Sequence, residues 1–433
     1  MQICICRVRV EELIDVRSLI SKIQSDKQEA IELGVLKKEK KLDDIHKNEI
    51  PYSLPDGWEW IRLGDYAFKI TDYVASGSFA SLKENVLITN EPNYAIMVKT
   101  ADFSNNFSKN LTYTDEHGYT FLSNSNLFGG ELILSNIGSI GKVFIVPNLG
   151  VPMTLASNTV MVKMSDKKLI KYLYYFFLSP LGQRTLKNIS SGTSMMKFNK
   201  TQLKNIIVPI APLKQQQNIV QLFDRLSILI ENQKTQLKLL DELVKARFVE
   251  MFGTIRENSH NYPRVTLKEV CHKITDGKHG GCKQEDNSGY YYVGAREIYD
   301  GKIHYDTAPQ ITYDDFSKDY RRCNLEKGDM VIVNTGATIG KSAIASSHLT
   351  EKTLLQKSVA LIKVNSDIII AEFLRYCYMV NPSMYMVKSA SAQPNLLLSK
   401  MNSTIVYLPP IGLQRQFASF VEEVDKSQFV LHQ

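Results

Sequence analysis

The chain has 433 residues, 44% hydrophobic and 22% charged, which excludes wholesale disorder and leaves room for roughly two to four domains. Lysine plus arginine exceed aspartate plus glutamate by 52 to 45, a formal +7 that favours a polyanionic partner without the charge density of a histone-like protein. No apolar run approaches the roughly 18 residues of a membrane-spanning helix, and the first residues lack the pattern of a secretory signal, so a cytoplasmic protein is expected.

The first expected element is a helix from about Val10 to Leu33, with Leu13, Val16, Ile20 and Ile23 at three-four spacing inside an N-terminal segment 1–48. A mixed α/β domain follows over residues 49–212. Its landmarks are Leu63, the tetrad KITD (69–72), the turn NIGSIGK (136–142), the apolar strand 160–163, an aromatic helical run ending at Pro180, and the proline-bearing exit 207–213. From 181 to 217 the chain carries Arg184, Lys187, Lys197, Lys200, Lys204 and Lys214 and no acid. Such a stretch could neutralise several phosphates; a solvated basic face is the alternative.

Residues 213–253 contain no proline, and their one glycine is Gly253 at the end, so they form a single helix with Gly253 as its stop. At about 1.5 Å per residue it spans on the order of 60 Å, too long for one small domain. Ile219, Phe223, Leu226, Ile230, Leu237, Leu240, Val244 and Met251 alternate by fours and threes, the pattern of a coiled-coil seam, interrupted by Gln233 and Arg247.

The second domain, 254–411, repeats the first. Leu267 precedes a second KITD (273–276), NTGATIGK (334–341) answers NIGSIGK with one residue inserted, 360–363 answers 160–163, an aromatic run ends at Pro382, and 407–413 answers 207–213. The constant order and offset mark a duplicated domain, not a solenoid of short repeats. Residues 73–131 and 277–329 do not align, as expected of one frame carrying two different surfaces. A short helix, 412–433, closes the chain with Leu413, Phe417, Phe420 and Val424 on one face. The expected class is therefore α+β: two similar mixed α/β domains joined by long antiparallel coiled-coil helices, a pseudo-two-fold repeat in which both terminal helices line the central one.

Enzymatic signals are weak. The six cysteines, Cys4 and Cys6 among them, include no C-x-x-C pair, and Cys271, His272, His279 and Cys282 lack zinc-ligand spacing, so no metal site is expected. A phosphate-binding loop needs one residue more between its glycines than separates Gly336 from Gly340, and Val143 stands in the first copy where Ser342 stands in the second. Both segments therefore read as turns between strands. Asn381 to Tyr385 has a residue too many for an adenine methyltransferase motif and reads as a helix stop. Asp314-Asp315 and Glu422-Glu423 form no convergent carboxylate pair. No catalytic residue is expected.

Three kinds of segment, each met in order around the coiled coil, carry a resemblance: IPYSLPDGWEWIRLGD (50–65); ITDGKH (274–279), with Tyr73 in place of Gly277 in the first copy; and the exits VPIAPLKQQ (208–216) and LQRQFASFV (413–421). Together they resemble the specificity (S) subunit of type I restriction-modification systems over nearly the whole chain. The resemblance implies target-recognition domains that each read one half of a split site in double-stranded DNA, with helices that set the gap. It implies a pair of modification subunits, adenine methyltransferases using S-adenosylmethionine, docked on the helices, and a restriction subunit using ATP and Mg. It implies no cofactor on this chain. The short C-terminal helix departs from the family's long distal one. Polar residues at the repeated positions are the candidate DNA contacts: Thr71, Ser139, Lys142, Thr193, Lys197 and Asn199 in the first domain, and Thr275, Lys278, His279, Lys341, Gln393 and Asn395 in the second. Ile219, Phe223, Leu226, Ile230, Leu237, Leu240, Val244, Phe417, Phe420 and Val424 are the candidate helix or subunit interface. Two other readings stand behind this one, a nucleotide-binding enzyme built on residues 336–342 and a coiled-coil scaffold that binds no DNA.

Overall fold

The computed structural model describes residues 15–254, 257–385 and 395–432. The chain divides into two compact units, one up to Leu229 and one from Ile230.

The first unit is framed by β1 (Glu59–Arg62), β2 (Lys69–Asp72), β3 (Ala95–Val98), β4 (Leu132–Ser135), β5 (Val143–Ile145), β6 (Met153–Leu155), β7 (Thr159–Lys163) and β8 (Ile207–Ile210). An antiparallel sheet runs in the order β2-β7-β4-β5, β1 pairs antiparallel with β8, and β3 lies parallel to β6. β4 is buried along its whole length, which explains why it reads as an unbroken apolar run and not as an alternating strand.

The second unit has β9 (Arg264–Thr266), β10 (Cys271–Asp276), β11 (Tyr291–Val293), β12 (Met330–Val333), β13 (Ser342–Ile344), β14 (Thr353–Leu355), β15 (Val359–Val364) and β16 (Ile405–Tyr407). The pattern recurs: a sheet β10-β15-β12-β13, an antiparallel pair β9-β16, and a parallel pair β11-β14. The duplication therefore extends into the stretches 73–131 and 277–329, each of which supplies one strand of a parallel pair despite having no alignable sequence.

One element of the sequence alignment is corrected. Leu63 N donates to Ile206 O and Leu267 N to Thr404 O, and the helices that follow run Leu213–Phe252 and Ile411–His432. Leu213 thus corresponds to Ile411, two residues before the Leu413 that the proline pattern selects, because the Pro409-Pro410 doublet offers two registers. In the corrected register Gln216 and Gln414 coincide, and both are buried. Gln216 accepts from Tyr66 Oη (2.9 Å) and donates to Ala211 O (2.8 Å). Gln414 accepts from Ile370 N (2.9 Å) and donates to Pro409 O (2.9 Å) and Ile368 O (3.2 Å). Each glutamine ties the root of a helix to its domain. Gln414→Ala leaves buried backbone groups without partners and is expected to destabilise the second unit by about 1–3 kcal/mol, read as a lowered Tm in thermal denaturation.

The central helix, Leu213–Phe252, is 40 residues long, and Gly253 ends it in the left-handed conformation (φ +72°), its N–H bonded to Val249 O (2.8 Å). In the second unit Val244, Phe248 and Phe252 pack with Phe417, Val421 and Val424 in one core, with Leu240 and Phe420 half-buried against it. The Phe248 and Phe417 rings meet edge to face at 5.3 Å, and Gln428 Nε2 donates to Asp241 Oδ1 (2.8 Å).

The N-terminal helix, Val16–Glu32, starts at Asp15, whose carboxylate accepts from Ser18 N (2.7 Å). Val16, Leu19 and Ile23 are buried in the first domain's core with Leu63, Tyr66 and Leu203, and Ile219 and Val220, at the root of the central helix, are half-buried in the same cluster. This differs from the expected lining of the central helix by both terminal helices. Phe223, Leu226 and Ile230 remain 43%, 43% and 51% exposed, and Leu237 is half-buried. Three-four spacing shows that a helix has an apolar face but not what that face meets, and here the domain takes it. Leu13 lies outside the described residues. No described helix is long and apolar enough to cross a membrane.

Candidate nucleic-acid interface

In each unit the repeated glycine-containing segment joins two antiparallel strands at one end of the four-stranded sheet, β4 to β5 through 136–142 and β12 to β13 through 334–341. Residues 336–342 thus form a strand-turn-strand connection with no helix behind it, and the nucleotide-loop reading is set aside on that geometry. The turns need glycine: Gly141 and Gly340 have φ of +93° and +90°. Both are also closely approached. A Cβ on Gly141 would fall 2.3 Å from Gln183 Oε1, and one on Gly340 2.4 Å from the Tyr385 ring. Gln183 Nε2 donates to Gly141 O (2.9 Å) and Phe177 O (2.6 Å), bracing the first turn from behind.

A second loop is laced to that turn. Ser191 and Lys197 exchange backbone hydrogen bonds of 2.9 Å, Gly138 N donates to Met196 O (2.9 Å), Phe198 N donates to Asn136 O (3.0 Å), and Asn136 Nδ2 donates to Phe198 O (3.1 Å). Ser139, Lys142, Thr193 and Lys197 therefore lie on two adjoining turns, all exposed. The second domain repeats the lacing: Leu396 N donates to Asn334 O (2.7 Å) and Thr335 Oγ1 to Asn395 Oδ1 (3.2 Å). Lys341 and Asn395, both exposed, come to the same end of their sheet. Gln393 lies outside the described residues.

The other candidates are buried or already bonded within the chain. Thr71 is 4% exposed within β2 and does not reach the surface. Asn199 caps the helix Lys200–Asn205, its Oδ1 accepting from Gln202 N (2.9 Å). Thr275 is half-buried and donates to Asp276 O (3.3 Å). Lys278 lies 2.7 Å from Asp319 and 3.9 Å from Asp315, and the Asp319 carboxylate holds its ammonium above the usual lysine value. A lysine whose charge is already met by two carboxylates is a poor phosphate ligand. His279 is exposed but sits 2.9 Å from Asp276.

The repeated aspartate of the tetrad had no assigned role in the sequence. Asp72 holds Lys200 (3.0 Å), and Asp276 holds Arg322 as well as His279. Burial opposes ionisation of Asp276, yet Arg322 and His279 outweigh it and hold the carboxyl below its usual range. The same acid anchors a different cation in each copy, so local sequence around the tetrad gives no hint of the partner. Within the basic stretch Lys200 and Lys204 are likewise engaged, the latter with Glu39 (2.6 Å), whereas Arg184, Lys187 and Lys197 are exposed. Among the described residues no group of three or more His, Cys, Asp or Glu side chains gathers as a metal site would require.

A family model described as the type I restriction modification DNA specificity domain matches residues 55–241 and 260–433, once for each copy of this fold. The chain belongs to that family. It is a DNA-specificity subunit of a type I restriction-modification system, a non-catalytic class whose catalytic activities lie in other subunits. It is similar to the type I restriction enzyme MjaVIII specificity subunit of Methanocaldococcus jannaschii, 24% identical over 412 residues and 90% of each chain. It is also similar to the EcoAI specificity subunit of Escherichia coli, 24% identical over 219 residues, 50% of this chain and 36% of that one. The fold is shared with the S subunit of the type I system of M. genitalium at a TM-score of 0.50 and 17% identity, over 88% of this chain and 93% of that one. A chain from a structural study of type I system assembly and conformational transition shares it at 0.54, with the same identity and coverage.

Proposed function

We propose that the two laced turns at one end of each domain contact DNA, so that each domain reads one half of a bipartite double-stranded site. The supporting observation is the recurrence of this arrangement in both copies, with an exposed lysine, Lys142 or Lys341, at the same place in the turn. On this reading the two lysines contact phosphate and position the duplex, while Ser139, Thr193 and Lys197 in the first domain and Asn395 in the second are placed to reach base edges. The helices set the gap between the half-sites and dock the methyltransferase subunits, which carry S-adenosylmethionine; a restriction subunit using ATP and Mg completes the assembly in the cytoplasm.

The test is salt titration of DNA binding by the assembled complex. Lys142→Ala and Lys341→Ala are each expected to weaken binding across all sequences and to lower the slope of log K against log salt by about one. An unchanged slope in both variants removes the lysines, and with them the turns, from the interface.

A further inference from the structure

The tetrad that opens each repeat begins with a lysine, and in both domains that lysine stands directly across from another. Lys69 of β2 is the register partner of Lys163 of β7, and Lys273 of β10 that of Lys363 of β15. Like charges opposite one another on antiparallel strands destabilise a sheet, so a pair present in both copies calls for a counter-charge. The second domain supplies it internally. Lys363 Nζ lies 2.6 Å from Asp329 and 3.0 Å from Glu326, while Lys273 donates to Asn324 Oδ1 (2.8 Å) and Arg321 O (3.2 Å).

The first domain keeps the frame and lacks the neutralisation. Glu131 precedes β4 as Asp329 precedes β12, and it holds the preceding turn in the same way: Phe128 N donates to Glu131 Oε1 (3.0 Å), as Glu326 N donates to Asp329 Oδ2 (2.7 Å). Where the second domain has Glu326, however, the first has Phe128, 59% exposed, with the Lys163 ammonium 5.4 Å from its ring centroid. Among the described residues no carboxylate lies within ion-pair distance of Lys69 or Lys163, and Glu131 Oε2 is buried without a hydrogen-bond partner. Partial burial, and then the Lys163 charge, hold the Lys69 ammonium below the usual lysine value.

We propose that Lys69 and Lys163 form a docking site for a carboxylate side chain on an acidic segment of a partner subunit, the outside equivalent of what Glu326 and Asp329 provide from within the second domain. The same lysine frame shows carboxylates as its ligands one domain away, which favours an acidic protein segment over a phosphate. Position agrees: Lys69 begins β2 and Lys163 ends β7, so both lie at the end of the sheet opposite the turn 136–142. The proposal rests on membership of a multi-subunit family and not on the assignment of the turns to DNA.

Zero-length carbodiimide cross-linking of the complete assembly, with the methyltransferase and restriction subunits encoded alongside this chain, tests it. Mass spectrometry is expected to find the Lys69 or Lys163 amine joined to an aspartate or glutamate of a partner subunit. Phe128→Glu transplants the second domain's internal carboxylate to an exposed position; it should raise the Tm, abolish the cross-link, and weaken assembly about fivefold at moderate salt. Lys69→Gln should weaken assembly to a similar extent. Cross-links from these lysines to Glu131 alone, no cross-link in an assembly that has formed, or unchanged assembly by Phe128→Glu would each overturn the proposal, whatever the outcome of the salt titration on Lys142 and Lys341.

Discussion

Replacing residues 73–200 with the equivalent segment of a related specificity subunit is expected to change one half of the methylated DNA site completely and leave the other half intact. That segment carries the turn 136–142, the loop laced to it around Ser191 and Lys197, and the parallel pair β3-β6. The frame around it stays: β1, β8, the N-terminal helix and the buried Gln216. Because each unit has its own hydrophobic clusters, the second domain does not depend on the exchanged residues for its core. Several contacts cross the junction, among them the β2-β7 ladder, the ion pairs of Asp72 with Lys200 and of Lys171 with Asp224, and the bond from Tyr172 Oη to Pro209 O, so the incoming segment must supply equivalents at those places. Sequencing the methylome of a host lacking its own copy of the gene gives the result directly. A change in both halves would refute the assignment of one half-site to each domain.

Inserting four residues between Lys234 and Leu237 is expected to leave both half-sites unchanged and to lengthen the unread gap by one or two base pairs. Four residues add about 6 Å and slightly more than one helical turn, so the apolar stripe keeps its direction approximately. Residues 231–236 are exposed, and the described cores of both units lie outside them, so the insertion breaks no packed contact. At about 3.4 Å per base pair the added length corresponds to the predicted shift. The same methylome measurement reads it, with circular dichroism confirming that the variant folds. Retained methylation with an unaltered gap would show that the helix does not set the spacing.

What the sequence by itself determined about this protein is what local chemistry dictates. The repeat was legible because its landmarks are backbone-bound: Gly141 and Gly340 occupy left-handed turns that other residues adopt at a cost, and the strands beside them are unbroken apolar runs. The central helix and its stop at Gly253 were legible because periodicity and capping act within one or two turns. Ser139, Lys142, Thr193, Lys197, Lys341 and Asn395 were named from the repeat, and each lies on an exposed turn or loop.

The tertiary structure decided the rest, because the deciding neighbours are far away in sequence. The strands of the parallel pairs β3-β6 and β11-β14 are separated by long connections, so nothing in the local pattern of either strand marks its partner. Lys278 and Lys341 are alike as letters; Asp319, on a helix of the variable stretch, takes the charge of the first, and the second stays exposed. Lys163 and Lys363 hold equivalent places in the repeat, yet one meets the Phe128 ring and the other two carboxylates. The apolar face of the N-terminal helix was evident from its spacing, but only the first domain's core, offering Leu63, Tyr66 and Leu203, determined that the face would be buried there. Sequence sets which side chains carry charge or apolar surface, and long-range packing sets which of them remain available to a partner.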